Sequence, residues 1–167
     1  MYSYESSLPI SKDGSYNGLQ HYAPLGRDIE GGAQVNLVPS ERRQDLYSGI
    51  ASLVTDKVKR LTEEGDEFGQ LMHDKVKRKI VKQTVMTSVY GVTLVGVRQQ
   101  IMNRLAELDD GLISEEKLFQ KSAKLAQLTL ASLGDIFEGA TEPMEWLYEC
   151  ARRISNALRK VEWTTPV

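Results

Sequence analysis

The chain has 167 residues, 41% apolar and 26% charged, with a formal net charge of −2, which suits one globular domain with its own core and leaves partner choice to local charge. A single cysteine, Cys150, excludes an internal disulfide and fits a reducing compartment; with only two histidines beside it, a zinc site is not expected. The longest uncharged run, 83–97, is too short for a membrane span of about 20 residues, and the opening MYSYESSLPI is neither a signal peptide nor an arginine-rich transit peptide.

In chain order, SLPISKDG reads as a short strand ending at Asp13-Gly14, and NGLQHYAPLGRD as a short helix broken near Pro24. GGAQVNLVPS reads as a loop. Ser40 is placed to cap the next helix, with Glu41 in its first turn, Leu46, Ile50, Val54, Val58 and Leu61 on one face, and Gly65 at its end. A helical stretch follows from about Glu67 to Gly91, with room for an interruption. Gly96 precedes a helix whose stripe is Val97, Ile101, Leu105 and Leu108, stopped by DDG at 109–111. Ser114 opens a long helix carrying Leu118, Leu125, Leu128, Leu133 and Ile136, ended by Gly139. Pro143 suits the first turn of a last helix with Trp146, Leu147, Cys150, Ile154 and Leu158 inward. The closing VEWTTPV reads as a strand cut off. The expected fold is mostly α with short strands, and the abrupt ends read as those of a fragment.

One segment breaks the usual distribution of charge. From Lys75 to Lys82 there are five basic residues and no acidic one, and from Gln83 to Val97 no charge at all. Arg78, Lys82 and Met86 are spaced by four, so they lie along one face of a helix, and Tyr90 continues that drift. Arginine grips phosphate oxygens with a planar fork and lysine acts as a point charge, so two of them one turn apart suit a triphosphate. Tyr90 offers a flat ring for a base or sugar, and Gly91 leaves space beside it. A solvated basic face followed by core is the rival reading, and spacing alone leaves it open.

The frame Arg, three residues, Lys, seven residues, Tyr-Gly resembles the fingers-helix motif of the single-subunit polymerases, both family A DNA polymerases and phage-type RNA polymerases. VKQTVMTSVYGVT is closer still to the mitochondrial and plastid phage-type RNA polymerases. DGSYNGLQHYAPLGRD, Asp13 to Asp28, resembles the first palm motif of the same family. The resemblance implies a right-hand polymerase, with palm residues at 1–29 and helical fingers at 30–167, and a nucleotide-binding helix over 78–91. It implies template-directed transfer of ribonucleotides from NTPs to an RNA 3′ end, for organellar transcription. It makes Asp13 a ligand of two magnesium ions, assisted by the Gly14 carbonyl; magnesium prefers hard oxygen ligands, and two ions about 4 Å apart can clamp attacking and leaving oxygens.

The same resemblance implies that Asp13, Lys82 and Tyr90 serve catalysis, and that Arg78, Lys82, Met86, Tyr90, Gly91 and Gly18 bind the nucleotide. DNA polymerases carry a glutamate five residues after the palm aspartate, against the 2′-hydroxyl; here that residue is Gly18. The Tyr90 hydroxyl would help select the ribose. DNA template, nascent RNA and NTPs are the implied partners, with organellar transcription factors recruited by other parts and no membrane. The implied location is the mitochondrion, with the plastid as alternative. Tyr16, Lys12 and Pro24 depart from the family pattern. The family's second metal-binding aspartate, in a His-Asp-Ser motif, does not occur, so the chain alone is expected not to polymerise. The rivals are a family A DNA polymerase fragment and a non-catalytic helical module that binds nucleic acid.

Several side chains have a second reading. A structural hydrogen bond suits His21. Tyr47 reads first as core packing, while the resemblance implies an approach to the template or the sugar pocket, and Met86 divides between core and pocket. Lys75, Lys77 and Lys79 could touch a nucleic-acid backbone or simply face solvent, and Arg98 could approach template phosphates. His73 reads as an exposed helix residue, and Trp146 and Trp163 as core or rim aromatics.

Overall fold

Apolar side chains three and four residues apart wind most of the chain into helix. The computed structural model describes residues 7–9, 16–108 and 115–164, and within them there are eight α-helices and no strand. They are α1 (Asn17–Leu25), α2 (Ile29–Gln34), α3 (Leu46–Glu63), α4 (Glu67–Met72), α5 (Arg78–Ser88), α6 (Leu94–Leu108), α7 (Glu115–Ile136) and α8 (Glu138–Asn156). The helical character expected from the sequence is present, and among the described residues there is no strand. Residues 7–9 and 159–164 are irregular, and the rest of both expected strands lies outside the described residues.

The core is built around α3, which buries Leu46, Ile50, Val54 and Val58 completely along one face. Helices α4, α5 and α7 pack on it, α6 lies along α7 and reaches α5, and α1 rests on α2 and α8. Leu19 of α1 and Val35 after α2 join the same buried cluster as Ile80, Ile101, Leu125 and Phe137. Full burial of each such side chain is worth roughly 1.5–3 kcal/mol. That matters most for α5, whose inward residues Ile80, Val81, Thr84 and Val85 are all β-branched and poor helix formers. Packing rather than propensity keeps it helical.

Several boundaries differ from the sequence expectation. Asp45, not Ser40, caps α3: its carboxylate accepts the Tyr47 amide at 3.2 Å, while the Ser40 hydroxyl donates to the Arg42 carbonyl at 2.6 Å. Helix α2 occupies part of the expected loop, because the Asp28 carboxylate accepts the Gly31 amide at 2.7 Å and starts a turn. A Cβ at Gly31 would lie 2.7 Å from the Phe137 ring, so that glycine lets α2 approach the core. The stretch expected over 67–91 is two helices, α4 capped by Asp66 and α5 entered from an extended Lys77. Helix α6 begins before Gly96, where the Thr93 hydroxyl accepts the Gly96 amide at 3.2 Å.

The last turn of the chain holds the largest correction. Helix α7 stops at Ile136, ahead of Gly139, and α8 begins at Glu138, so Pro143 lies in its second turn. The stripe expected inward on α8 faces out: Trp146 is 65% exposed, and Leu147, Ile154 and the following Leu158 are also exposed. Cys150 is half-buried. Amphipathicity announces an apolar face, but it does not name what covers it.

Candidate functional site

Because α5 turns Ile80, Val81, Thr84 and Val85 into the core, its Arg78, Lys82 and Met86 project from the opposite side at one-turn intervals. All three line a cleft of about 450 Å³, within the usual range for a small-molecule site. Gly18 at the start of α1, Tyr16 before it, Tyr47 on α3 and Tyr90 after α5 line it too. Met86 is therefore a surface residue at 49% exposure, not a core one.

Helix α5 ends at Ser88, three residues short of the expected boundary at 91. The Tyr90 and Gly91 amides bond to the Thr87 and Ser88 carbonyls at 3.0 and 3.2 Å, which tightens the chain into a turn. Tyr90 thus projects from a turn, 79% exposed. Gly91 has φ +75°, the left-handed conformation that favours glycine, with open space where a Cβ would stand. It terminates the turn and is not among the residues lining the cleft.

A compact ionic cluster stands at the other end of the cleft. Arg78 Nε donates to Asp45 Oδ2 at 2.8 Å, its guanidinium lies 5.0 Å from the Tyr47 ring centre, and Lys82 Nζ lies 5.8 Å from the same ring. Tyr47 is buried and so joins core and cleft, with the Tyr16 ring tilted against it at 4.9 Å. The Tyr16 hydroxyl donates to Asp45 Oδ1 at 3.3 Å and the Ser48 hydroxyl to Oδ2 at 2.8 Å. Burial alone would push the Asp45 carboxyl up, but the hydrogen bonds from Arg78 and Ser48 outweigh it and hold the group at about 2. Burial, then the Asp45 charge, pushes the Tyr16 hydroxyl up. Tyr16 has φ 67°, a left-handed backbone that is strained for an aromatic residue. The Arg78–Asp45 side chains are nearly half exposed, so the pair is worth no more than about 1 kcal/mol of stability. Its consequence is geometric.

The start of α5 carries no acidic residue, and Lys77 makes no side-chain cap. Arg78, Lys79 and Lys82 thus gather positive charge near the start of α5, where the helix dipole adds to it, and Asp45 is paired with the first of them. Gly18 is needed for contact: a Cβ there would lie 2.7 Å from Val89 Cγ2 and 2.8 Å from Val89 Cβ. Its missing side chain brings the start of α1 against the end of α5 and leaves the cleft open between them.

Other expected site residues separate from this group. Asp13 and Gly14 lie outside the described residues; among those described, no group of three or more His, Cys, Asp or Glu could hold a metal ion. His21 Nδ1 is 3.0 Å from the Asn17 carbonyl oxygen, the structural bond expected for it. Arg98 stacks on Phe119 at 4.1 Å, and its buried Nε has no hydrogen bond among the described residues. Lys79 lines a neighbouring groove with Lys82 and Arg104, while Lys75 and Lys77 line a separate small cavity. His73 follows α4 and pairs with Asp74 at 3.1 Å. Trp163, like Trp146, is largely exposed. Asp45 is the residue that sequence reasoning missed. Its signal was present: an aspartate directly before Leu46, the first residue of an apolar helical period, is an N-cap pattern.

A family model for DNA-dependent RNA polymerase matches residues 1–167. The chain belongs to the DNA-dependent RNA polymerase family. It is 48% identical over 168 residues to DNA-directed RNA polymerase 2A of Nicotiana tabacum, covering 97% of this chain and 50% of that relative. DNA-directed RNA polymerase 1, mitochondrial, of Nicotiana sylvestris is 47% identical, with 97% of this chain and 17% of the relative covered. DNA-directed RNA polymerase 2, chloroplastic/mitochondrial, of Arabidopsis thaliana is 45% identical over 97% of this chain and 16% of its own length. The chain therefore spans half of one such relative and about a sixth of the others. The family is the phage-type, organellar one anticipated from the two motifs, and the relatives' names speak for RNA rather than DNA polymerase. They include mitochondrial, chloroplastic and dual polymerases, so the organellar assignment stands while the choice between organelles is left open by the names. Among the described residues, no helix is long and apolar enough to cross a membrane.

Proposed function

We propose that this chain forms the nucleotide-binding part of a DNA-directed RNA polymerase and that the cleft beside α5 receives the incoming ribonucleoside triphosphate. The observation that carries this reading is the convergence of Arg78, Lys82 and Tyr90 on one cleft beside Gly18. Arg78 offers a planar fork and Lys82 a mobile point charge to the phosphates, where negative charge grows as pyrophosphate leaves. Both stand at the positive end of α5, which favours the same anion. Tyr90, exposed and hydroxyl-bearing, reads the sugar, and Gly18 leaves the ribose side without an obstructing side chain.

Residues 1–29 then belong to the palm and 30–167 to the fingers. Asp13, with the Gly14 carbonyl, would hold magnesium, which when bound neutralises charge on the attacking and leaving oxygens. The template is DNA, the growing product is RNA, and transcription factors would engage other parts of the polymerase. We take the mitochondrion as the site of action, on the likeness of both motifs to organellar polymerases. The test is primer extension by the full-length gene product with Tyr90→Phe. Ribonucleotide extension persists, and deoxynucleotide incorporation rises at least tenfold as the hydroxyl that reads the sugar is lost. Unchanged sugar discrimination would remove Tyr90 from the site.

A further inference from the structure

We propose that Asp45 is a positioning residue for the nucleotide: it fixes the Arg78 guanidinium so that its two terminal nitrogens face the phosphates. The inference rests on the reading of Arg78 as a phosphate contact. Neither the Asp13–Asp28 motif nor the Arg78–Gly91 motif includes Asp45, and its bond to Arg78 is seen only in the structure.

Three observations converge. First, Asp45 takes Arg78 through Nε at 2.8 Å, and among the described residues this is the one hydrogen bond Arg78 makes. The two terminal nitrogens stay available, and they are the pair that forks onto phosphate oxygens. Second, the guanidinium lies over the Tyr47 ring at 5.0 Å, and that ring is braced by Tyr16 at 4.9 Å. A carboxylate at Nε and a ring against its face leave a long side chain few alternatives. Third, Asp45 is itself fixed, by the Tyr47 amide, the Ser48 hydroxyl and the Tyr16 hydroxyl at 3.2, 2.8 and 3.3 Å. One carboxylate thereby ties together the starts of α3 and α5 and the residue preceding α1.

A carboxylate beside a triphosphate site has an obvious alternative role. It could compete with the phosphates for Arg78, as a latch that the nucleotide must displace. The two roles predict opposite signs. If Asp45 positions Arg78, removing its charge weakens nucleotide use; if it competes, removing it strengthens nucleotide use.

The test measures steady-state KM and kcat for ATP with the full-length gene product on a primed DNA template. Asp45→Asn retains the N-cap, since asparagine caps as well as aspartate, but drops the charged bond to Arg78. Asp45→Ser keeps a capping oxygen and serves as the second variant; the thermal midpoint is recorded for both. We expect KM to rise about tenfold with a smaller change in kcat and only a small drop in the midpoint, because misplacing a binding group costs more than its small stability contribution. In an Arg78→Ala background, the Asp45→Asn change has no further effect on KM. A KM that stays constant or falls in Asp45→Asn, while Arg78→Ala alone raises it, overturns the positioning role. If Arg78→Ala itself leaves KM unchanged, the reading of the cleft fails as well, and the two failures are thereby distinguished.

Discussion

Single residues in this chain carry two duties at once, and Gly18 shows how they combine. The sequence motif points to space for a ribose hydroxyl, while the structure shows a contact that forbids a side chain for a different reason. Val89 is too close and too stiff to yield, because its Cβ as well as its methyls would meet the added carbon. Gly18→Ala is therefore expected to destabilise the chain by about 1–3 kcal/mol through overpacking. Denaturant unfolding of wild type and variant checks it; equal midpoints would show that α1 and α5 separate freely. Tyr47 is the converse case. Its buried ring belongs to the core, yet it carries Arg78 and Lys82 above it.

At the level of elements, α5 explains why one stretch of sequence is basic first and uncharged afterwards. Its inward stripe packs on α3 and α6, with Gln100 Nε2 donating to Thr87 Oγ1 at 3.2 Å to register α5 against α6. Its outward stripe presents charge only near the start, where the helix dipole adds to it. Helix α6 and helix α8 make an instructive pair. Ile101 on α6 is fully buried, whereas Ile154 on α8 is 38% exposed. Ile101→Ala should cost about 2–5 kcal/mol and Ile154→Ala well under that, as read from denaturant unfolding. Comparable losses would mean that α8 is covered in solution by something the described residues do not supply.

The sequence made the helices legible wherever apolar residues repeat against a core, as in α3, α6 and α7. It misled where periodicity had no partner, as on α8, and where a glycine pair hid a helix, as in α2. Gly31 and Gly32 read as loop because flexible residues usually mark one, but the Asp28 cap and the Phe137 contact decide otherwise. The Arg78, Lys82, Met86 and Tyr90 stripe was legible from spacing, and Gly18 from its motif. The Asp45 cluster was not, because residues 33 positions apart in the chain meet only after α3 and α5 pack.

At the largest scale, the eight helices of the described residues bring the start of α1, the start of α3 and both ends of α5 to one cleft. The family assignment says which polymerases the chain belongs with, and the cleft gathers the groups that we propose meet the triphosphate. The most direct test is binding of ATP and of adenosine to the full-length gene product, in wild type and in Arg78→Ala with Lys82→Ala. The account predicts that ATP affinity falls by about 10²- to 10⁴-fold, since hydrogen bonds to charged groups are worth about 1.5–3 kcal/mol each, while adenosine affinity hardly changes. An ATP affinity that survives both substitutions, or an equal loss for adenosine, would contradict it.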